Sequence, residues 1–519
     1  MVPLDYAVPN GLQAVISLVK VPSKFSPGDK NYRGPILFKP GGPGGSGVGF
    51  VAGSGATFQK LIGDEFDIVG FDPRGVSRTT PPVVVFKDQA EDATWRLREL
   101  EDPVPNTTAD AVPRLWAKAQ VFGMLVNQTA QGSAPYVGTA LVARDMLNIM
   151  RAHGFDKIQY WGFSYGTVLG ATFAAMFPDH VGRLIIDGVV DSENYYSGLW
   201  SNNLLDTDLA LHTVLDACVA AGPLSCALYE STTEKVHDRL TAIFDNLKKQ
   251  PLPVYSNETR IEYGLVDYKF ARLALFGQLY SPYGRATLYP SMLVLNALAQ
   301  LEKGDGLPLG RLLGIVPVRA PFTCECPGDP RPPVVATPGA LAAIVCADAD
   351  PARAVDTVED LEEHFVRMRE HSEFADQWPL RVLCTGWKVK PVERFAGPFI
   401  GNTSFPMLLI GNTADPVTPL AHAQKMSRGF NNSVVLHQDS AGHCTFAATS
   451  ICTAKVIREY FREGKLPKNG TVCPVESSIF PSDNEIRSVQ ALEGEDREVM
   501  EAWRKIRESF DVPKLGLAF

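Results

Sequence analysis

The sequence lacks both a long apolar run and a cluster of positive charge. No stretch approaches 18 uninterrupted apolar residues, so we expect no membrane-spanning helix. The 49 Lys and Arg residues are outnumbered by 58 Asp and Glu, giving a net charge of −9, and they form no basic stripe. Nucleic acids and anionic membranes are bound through a clustered positive field, so neither is an expected partner.

Motifs for metals and nucleotides are also scarce. The cysteines form no CxxC pairs with histidine companions, and only Cys324 and Cys326 approach ligand spacing, so no metal and no other cofactor is expected. The glycine-rich run at residues 40–47 (PGGPGGSG) is not followed by Gly-Lys-Ser/Thr. We also expect no helix directly behind this run, which argues against a phosphate-binding loop. No internal repeat is found.

The features that are present indicate a large globular enzyme in an oxidising compartment. A chain of 519 residues with 45% hydrophobic residues is long enough for one large domain with an insertion. Six Asn-x-Ser/Thr sequons occur where chance predicts about 2, which favours a secreted glycoprotein; they are Asn106, Asn127, Asn257, Asn402, Asn431 and Asn469. Nine cysteines suit disulfide bonding. The pairs that we expect are Cys218 with Cys226, Cys346 with Cys384, and Cys452 with Cys473.

Strand-length apolar bursts alternate with helical patterns near both ends of the chain, as is typical of an α/β fold with a mostly parallel sheet. The expected strands are residues 35–38, 66–71, 158–161, 184–186, 407–410 and 433–436, and the expected helices are 139–153, 167–177 and 454–463. From about residue 190 to 395 the alternation stops. We therefore interpret 1–190 and 396–475 as one core, 191–395 as a mostly helical cap, and 476–519 as a helical tail packed on the surface.

The strongest local motif is GxSxG at residues 162–166 (GFSYG), between the predicted strand 158–161 and the predicted helix 167–177. A strand that turns sharply into a helix forces the serine into strained backbone angles, where only small neighbours avoid a clash. Ser164 is therefore the predicted nucleophile, with its hydroxyl exposed at the carboxyl edge of the sheet. The alternative is a glycine-rich turn with a solvated serine.

A serine nucleophile needs a base and an acid that orients this base, and in such a fold the chain order is Ser, Asp/Glu, His. Asp415 and His443 each lie in a loop behind a predicted strand, at the carboxyl end of the sheet. We predict that Asp415 is the acid and His443 the base. The competing candidates are His437 for the base, and Asp187 and Asp439 for the acid.

The negative oxygen that forms during acyl transfer needs backbone N–H donors. The amide of Tyr165, directly behind the nucleophile, is one predicted donor. The second is expected in the run at residues 40–47, whose glycines let the bare backbone approach a substrate. Gly42 is the predicted donor there.

The segments PGGPGGSG, FDIVGFDPRGVSRT, YWGFSYGTVLG, GRLIIDGVVD, GNTADPVTP, AGHCTF and TVCP resemble the tripeptidyl-aminopeptidase-like branch of the prolyl-iminopeptidase-related serine peptidases. The resemblance covers most of residues 2–475. It implies an α/β-hydrolase fold and a secreted exopeptidase or related hydrolase that uses Ser164, Asp415 and His443. The opening VPLDYAVP resembles the start of the mature domain in these proteins, which implies a removed leader. Lys39 departs from the pattern, because many relatives have Asn or His there.

Two functions fit this sequence. The first is an aminopeptidase that releases short N-terminal units from peptides; the second is an esterase, lactonase, thioesterase or amidase that acts on a small natural product. Both pass through an acyl-enzyme, so the catalytic residues do not separate them. A third possibility is a fold that only binds. The first function needs anionic partners for a substrate ammonium, and acidic residues available near the start of the cap are Asp191, Glu193, Asp206 and Asp208.

Overall fold

The computed structural model describes residues 1–258, 261–283, 290–315, 338–353, 357–482 and 491–509. Its strands are β1 (Val2–Pro3), β2 (Gln13–Ala14), β3 (Leu18–Val21), β4 (Pro35–Lys39), β5 (Asp67–Phe71), β6 (Ile158–Phe163), β7 (Val181–Asp187), β8 (Leu252–Ser256), β9 (Glu262–Val266), β10 (Leu408–Ala414), β11 (Val434–Ala441) and β12 (Val472–Cys473).

The α-helices of the described residues flank the strands and fill the stretch between β7 and β10. They are α1 (Gly47–Ile62), α2 (Gln89–Glu101), α3 (Ala111–Thr129), α4 (Thr139–Ala152), α5 (Tyr165–Met176), α6 (Ser192–Tyr196), α7 (Thr207–Ala221), α8 (Thr233–Lys249), α9 (Tyr268–Gln278), α10 (Pro290–Glu302), α11 (Leu307–Leu313), α12 (Pro338–Asp348), α13 (Val358–His371), α14 (Leu420–Ser427), α15 (Ile451–Glu463) and α16 (Gly494–Ser509).

An eight-stranded sheet forms the centre of the molecule, in the order β12-β11-β10-β7-β6-β4-β5-β3. Its pairs are parallel except for β3 with β5. Every residue of β4 and of β5 is buried, as expected for parallel strands that are covered on both faces. The predicted α/β fold with a mostly parallel sheet is confirmed. The carboxyl ends of β4, β6, β7, β10 and β11 therefore meet at one edge of the sheet.

The expectation that no helix follows the glycine-rich run is wrong. Helix α1 begins at Gly47, and the Ser46 side chain caps it by accepting a hydrogen bond from Gly49 N–H at 2.8 Å. A Cβ on Gly47 would lie 2.2 Å from the carbonyl oxygen of Phe71 at the end of β5. The glycines that lower helix propensity in α1 thus allow it to lie directly on the sheet, and tertiary packing outweighs propensity.

Between β7 and β10 the described chain adds no strand to the central sheet. This stretch contains helices α6 to α13 and one antiparallel hairpin, β8 with β9, which the sequence did not suggest. We call it the cap, with the bounds 191–395 proposed from the sequence. A hydrophobic cluster runs from α4 and α5 of the core into α7 to α12 of the cap, so the cap is packed on the core.

The three predicted disulfides are confirmed: Cys218 with Cys226 and Cys346 with Cys384 in the cap, and Cys452 with Cys473 in the core. Among the described residues Cys444 is a free, buried cysteine, whereas Cys324 and Cys326 lie outside them. All six sequon asparagines are exposed. In the described parts of the chain, no helix is long and apolar enough to cross a membrane.

The C-terminal helix α16 lies within the segment proposed as a helical tail, and it adds to the core. Its side chains Val499, Ala502, Trp503 and Ile506 are buried in a second hydrophobic cluster with residues of α1 and α15. The Trp503 indole donates a hydrogen bond to the carbonyl of Ala448 at 2.9 Å. This helix therefore covers the face of the sheet opposite to the α4 and α5 side.

Candidate active site

Ser164 stands at the sharp turn between β6 and α5. Its backbone angles are φ 56° and ψ −123°, a strained region that non-glycine residues seldom occupy. A Cβ on Gly162 would lie 2.4 Å from the Tyr160 hydroxyl, and one on Gly166 would lie 2.7 Å from the carbonyl oxygen of Lys39. The glycines on both sides of Ser164 are thus needed because the turn leaves no room for side chains. The serine itself remains half-buried.

His443 and Asp415 form a hydrogen-bonded pair. Imidazole Nδ1 lies 3.0 Å from each carboxylate oxygen of Asp415, which is fully buried. The carboxylate also accepts hydrogen bonds from Val417 N–H at 3.0 Å, Thr418 Oγ1 at 2.7 Å and Cys444 N–H at 3.0 Å. Burial by itself would raise the pKa of Asp415, but the charge and hydrogen bonds around it hold this pKa below its ordinary value. Asp415 is therefore a buried carboxylate that stays ionised beside the imidazole.

The turn behind β7 brings Ser164 and His443 to the same place. Ser164 N–H donates a hydrogen bond to the carbonyl of Asp187 at 3.0 Å. A Cβ on the next residue, Gly188, would lie 3.4 Å from Cε1 of His443. The serine and the imidazole therefore lie against the same turn, at Asp187 and Gly188 respectively. Because Asp415 engages Nδ1, the nitrogen left to accept a proton is Nε2.

The competing candidates make other contacts. Asp187 is buried and accepts hydrogen bonds from Thr445 N–H at 3.0 Å and Thr445 Oγ1 at 2.6 Å, and burial raises its pKa to about 7. His437 Nε2 lies 2.8 Å from Thr413 Oγ1, which donates to the exposed Asp439 at 2.7 Å. Asp415 is thus the candidate acid that contacts the His443 ring.

The glycine-rich loop behind β4 lies against the serine. A Cβ on Gly41 would come within 2.8 Å of Ser164 Cβ and 3.4 Å of its Oγ. The Gly41 carbonyl accepts a hydrogen bond from Gly45 N–H at 3.0 Å. The peptide bond between Gly41 and Gly42 is trans, so the Gly42 N–H points to the side opposite to this carbonyl. Gly41 is thus the glycine that lies against Ser164. The backbone N–H that follows it belongs to Gly42, which is exposed.

The amides of Gly42 and Tyr165 have no hydrogen-bond acceptor among the described residues. For Tyr165 this follows from its place as the first residue of α5, where backbone N–H groups have no partner within the helix. Both donors are therefore available to a substrate oxygen near Ser164. Their role in catalysis remains a prediction.

The cap contributes contacts that the sequence did not reveal. His443 N–H donates to the carbonyl of Tyr280 at 2.8 Å, and the two rings lie 5.2 Å apart, nearly perpendicular. Ala441 N–H donates to the hydroxyl of Tyr283 at 3.0 Å. Two residues behind α9 thus hold the loop that carries the imidazole. No local pattern marks these tyrosines, because their partners are far away in the chain.

Asn412 is a second residue that sequence reasoning missed. Its side-chain amide donates to the carbonyls of Gly442 and Cys444, both at 2.7 Å, and so spans the backbone around His443. It lies in the same GNTADP segment that supplies Asp415. No cluster of His, Cys, Asp and Glu suited to hold a metal ion is found within the described chain.

Comparison with known proteins finds similar hydrolases. The family description of the α/β hydrolase fold matches residues 34–223, and that of TAP-like proteins matches residues 371–473. The chain is 28% identical to the serine protease Hip1 of Mycobacterium tuberculosis, over 91% of this chain and 86% of that protein. It is 26% identical to a tripeptidyl aminopeptidase of Streptomyces lividans, over 92% and 84% of the two chains.

A third relative is named as an esterase rather than as a peptidase. Carboxylesterase B of Mycobacterium tuberculosis is 28% identical, over 91% of this chain and 85% of that protein. All three relatives therefore span both parts of the core and the cap between them. The chain is a serine hydrolase of the α/β-hydrolase fold, and its sequence is similar to the tripeptidyl-aminopeptidase-like branch of that fold.

Proposed function

We propose that this protein is an aminopeptidase that releases short N-terminal units from peptides through an acyl-enzyme. The observation that carries the acyl-enzyme mechanism is the Asp415–His443 pair at 3.0 Å, next to the strained Ser164 turn. Relatives named serine protease and tripeptidyl aminopeptidase, which cover most of the chain, support peptides as the substrate class.

The proposed mechanism assigns one task to each group. His443 Nε2 takes the proton of the Ser164 hydroxyl as Oγ attacks the scissile carbonyl, and it later gives this proton to the leaving amine. Asp415 holds the ring in the tautomer with a proton on Nδ1 and stabilises the imidazolium. The amides of Tyr165 and Gly42 bind the negative oxygen. Water activated by the same imidazole then hydrolyses the acyl-enzyme.

An exopeptidase must recognise the free N-terminus of its substrate, and a carboxylate that pairs with the ammonium is a simple way to do so. Of the four acidic residues near the start of the cap, Asp191 and Glu193 already bind Lys425 at 2.8 and 2.7 Å. Asp208 accepts a hydrogen bond from Ser372 Oγ at 2.6 Å. Asp208 also accepts a hydrogen bond from Glu373 N–H at 3.3 Å, so these three carboxylates have more or closer partners than the fourth.

Asp206 is the remaining one. It is half-buried, it accepts a hydrogen bond from Leu420 N–H at 3.3 Å, and it forms no ion pair with any described residue. Burial, together with the charge of Asp415, raises its pKa to about 6. A cation placed beside this carboxylate would stabilise its ionised form and so offset the effect of burial. Asp206 is therefore the proposed partner of the substrate ammonium.

The test compares peptide anilides that differ only by N-terminal acetylation. Loss of one partner of a desolvated charge pair typically costs about 2–5 kcal/mol, so acetylation is expected to lower kcat/KM by roughly 30-fold or more. Asp206→Asn is expected to remove most of this preference, whereas the matched control Glu193→Gln, on an exposed carboxylate, keeps it. A preference that persists in Asp206→Asn would place the anchor elsewhere.

The alternative is hydrolysis of small-molecule esters, which the carboxylesterase relative favours. Simple esters belong in the same substrate panel for this reason. Equal rates on blocked and free peptides, or turnover of esters alone, would overturn the aminopeptidase and support the small-molecule hydrolase. We also propose that the protein is secreted, on the basis of its three disulfides and six exposed sequons.

A further inference from the structure

A lysine lies buried under the glycine-rich loop. Lys39 is the last residue of β4, and none of its surface is exposed. A lysine is almost never fully buried unless it is paired. No carboxylate of the described residues lies within ion-pair distance of its ammonium.

The partners of Lys39 are backbone carbonyls of the loop itself. Its Nζ donates hydrogen bonds to the carbonyl oxygens of Gly45 and of Gly41, the latter at 3.4 Å. The opposing charge that acts on it is that of Asp72, behind β5. That carboxylate is occupied with the other end of the loop, because it accepts hydrogen bonds from Ser46 Oγ at 2.6 Å and Val48 N–H at 3.1 Å.

The two carbonyls determine how the loop faces the serine. Because a peptide unit is planar, fixing the Gly41 carbonyl also fixes the direction of the Gly42 N–H on its opposite side. Gly41 in turn abuts Ser164, so this plane stands next to the nucleophile. A loop with five glycines among residues 40–47 has little stiffness of its own. Its orientation therefore depends on the hydrogen bonds to these carbonyls, which come from Gly45 N–H within the loop and from Lys39 below it.

We propose that Lys39 is a positioning residue for catalysis, whose ammonium holds the Gly41–Gly42 peptide so that the Gly42 amide faces the negative oxygen of the reaction. The inference rests on the proposed role of Gly42 and applies equally to peptide and ester substrates. Lys39 does not touch the substrate. It acts through the loop, so its loss lowers kcat rather than substrate binding.

Protonation of Lys39 gives the proposal a signature that a purely structural lysine lacks. Burial lowers the pKa of Lys39 to about 7, with Asp72 acting in the opposite direction. The group is charged below this value and neutral above it. A neutral amine donates weaker hydrogen bonds to carbonyls than an ammonium. We therefore expect kcat of the wild type to fall on the alkaline side of about pH 7.

The experiment measures kcat and KM from pH 5 to 10 for the wild type, Lys39→Gln and Lys39→Met, with p-nitrophenyl butyrate and the best peptide anilide. Loss of one oxyanion donor typically costs 10²- to 10³-fold in kcat, and a misplaced donor in Lys39→Met is expected to cost roughly 10²-fold with KM little changed. Lys39→Gln keeps an N–H donor and is expected to lose less. Neither variant has the alkaline limb of the wild type.

A matched control is Lys20→Met, because Lys20 lies on the same sheet in an ion pair with Asp67 at 3.2 Å, away from the loop. It is expected to keep the wild-type kcat and pH profile. Wild-type kcat and an unchanged alkaline limb in Lys39→Gln would overturn the proposal. If neither Lys39 variant folds, a flat wild-type kcat from pH 6 to 10 would overturn it as well. Failure of the proposed function is distinguishable, because it appears as equal rates on acetylated and free peptides or as turnover of esters alone, whereas kcat on p-nitrophenyl butyrate still reports on Lys39.

Discussion

The core and the cap contribute to one site in different ways. The core carries Ser164, Asp415 and His443 at the carboxyl edge of a sheet whose central strands are fully buried. The cap supplies none of these three, but it holds the loop of the base through Tyr280 and Tyr283. The difference teaches that the three candidate catalytic residues stand at strand ends, whereas the loop of the candidate base is held by a segment that is remote in the chain.

The largest expected effect is a difference in kcat between variants of two buried aspartates of the core. Asp415→Asn is expected to lower kcat about 10⁴-fold, because an amide no longer holds His443 in the tautomer that accepts the serine proton. Asp187→Asn is expected to cost far less, since Asp187 binds Thr445 rather than the imidazole. Steady-state kcat on one anilide measures both variants. Equal losses would contradict the assignment of the acid.

The disulfides of the core and of the cap are expected to contribute differently to the free energy of unfolding. Cys452 and Cys473 in the core are 21 residues apart, whereas Cys218 and Cys226 in the cap are 8 apart. Chain-entropy arguments give about 3 kcal/mol for the longer loop and about 2.5 kcal/mol for the shorter one. Replacing each pair by serines and measuring urea unfolding checks the order.

Peptide mapping without reduction precedes that measurement. It is expected to find Cys452 joined to Cys473 and at least one bridge within the cap. All thiols free in the purified protein would contradict both the pairing and the proposed secretion.

The smallest predicted effect tests whether the cap holds the base. Tyr283→Phe removes the hydroxyl that accepts the Ala441 N–H and leaves this buried amide without a partner, at a cost of about 1–3 kcal/mol. Loosening of the His443 loop is expected to lower kcat by about tenfold, and the free energy of unfolding falls as well. Tyr255→Phe, on an exposed tyrosine of β8, is the matched control. An unchanged kcat in Tyr283→Phe would mean that the core alone orients the base.

Most of the sheet was predictable because its signals are local. Predicted strand 35–38 is observed as Pro35–Lys39, and 66–71 as Asp67–Phe71. Buried parallel strands are short apolar runs between turn residues, and each run can be recognised from its own sequence. Helix α1 was missed because its glycines lower the helix propensity, and their packing on the sheet is not visible in the sequence.

The site was predictable to the extent that its residues stand in a fixed context. The GxSxG segment and the loops that follow β10 and β11 point to Ser164, Asp415 and His443 by chain order alone. The contact of Tyr283 with Ala441 joins residues that are 158 positions apart in the sequence, and no local pattern predicts it. Lys39 stands out in the sequence only as a departure from the resemblance, and no pattern along the chain indicates that it is buried. Long-range contacts of single side chains are what sequence reasoning could not supply.

The most direct test of the central claim is labelling with a fluorophosphonate, followed by mass spectrometric mapping of the modified residue. The predicted result is a single adduct on Ser164, and Ser164→Ala loses both the adduct and roughly 10⁴-fold or more of the turnover while its unfolding temperature stays close to that of the wild type. An adduct on another serine, or full turnover in Ser164→Ala, would contradict the account.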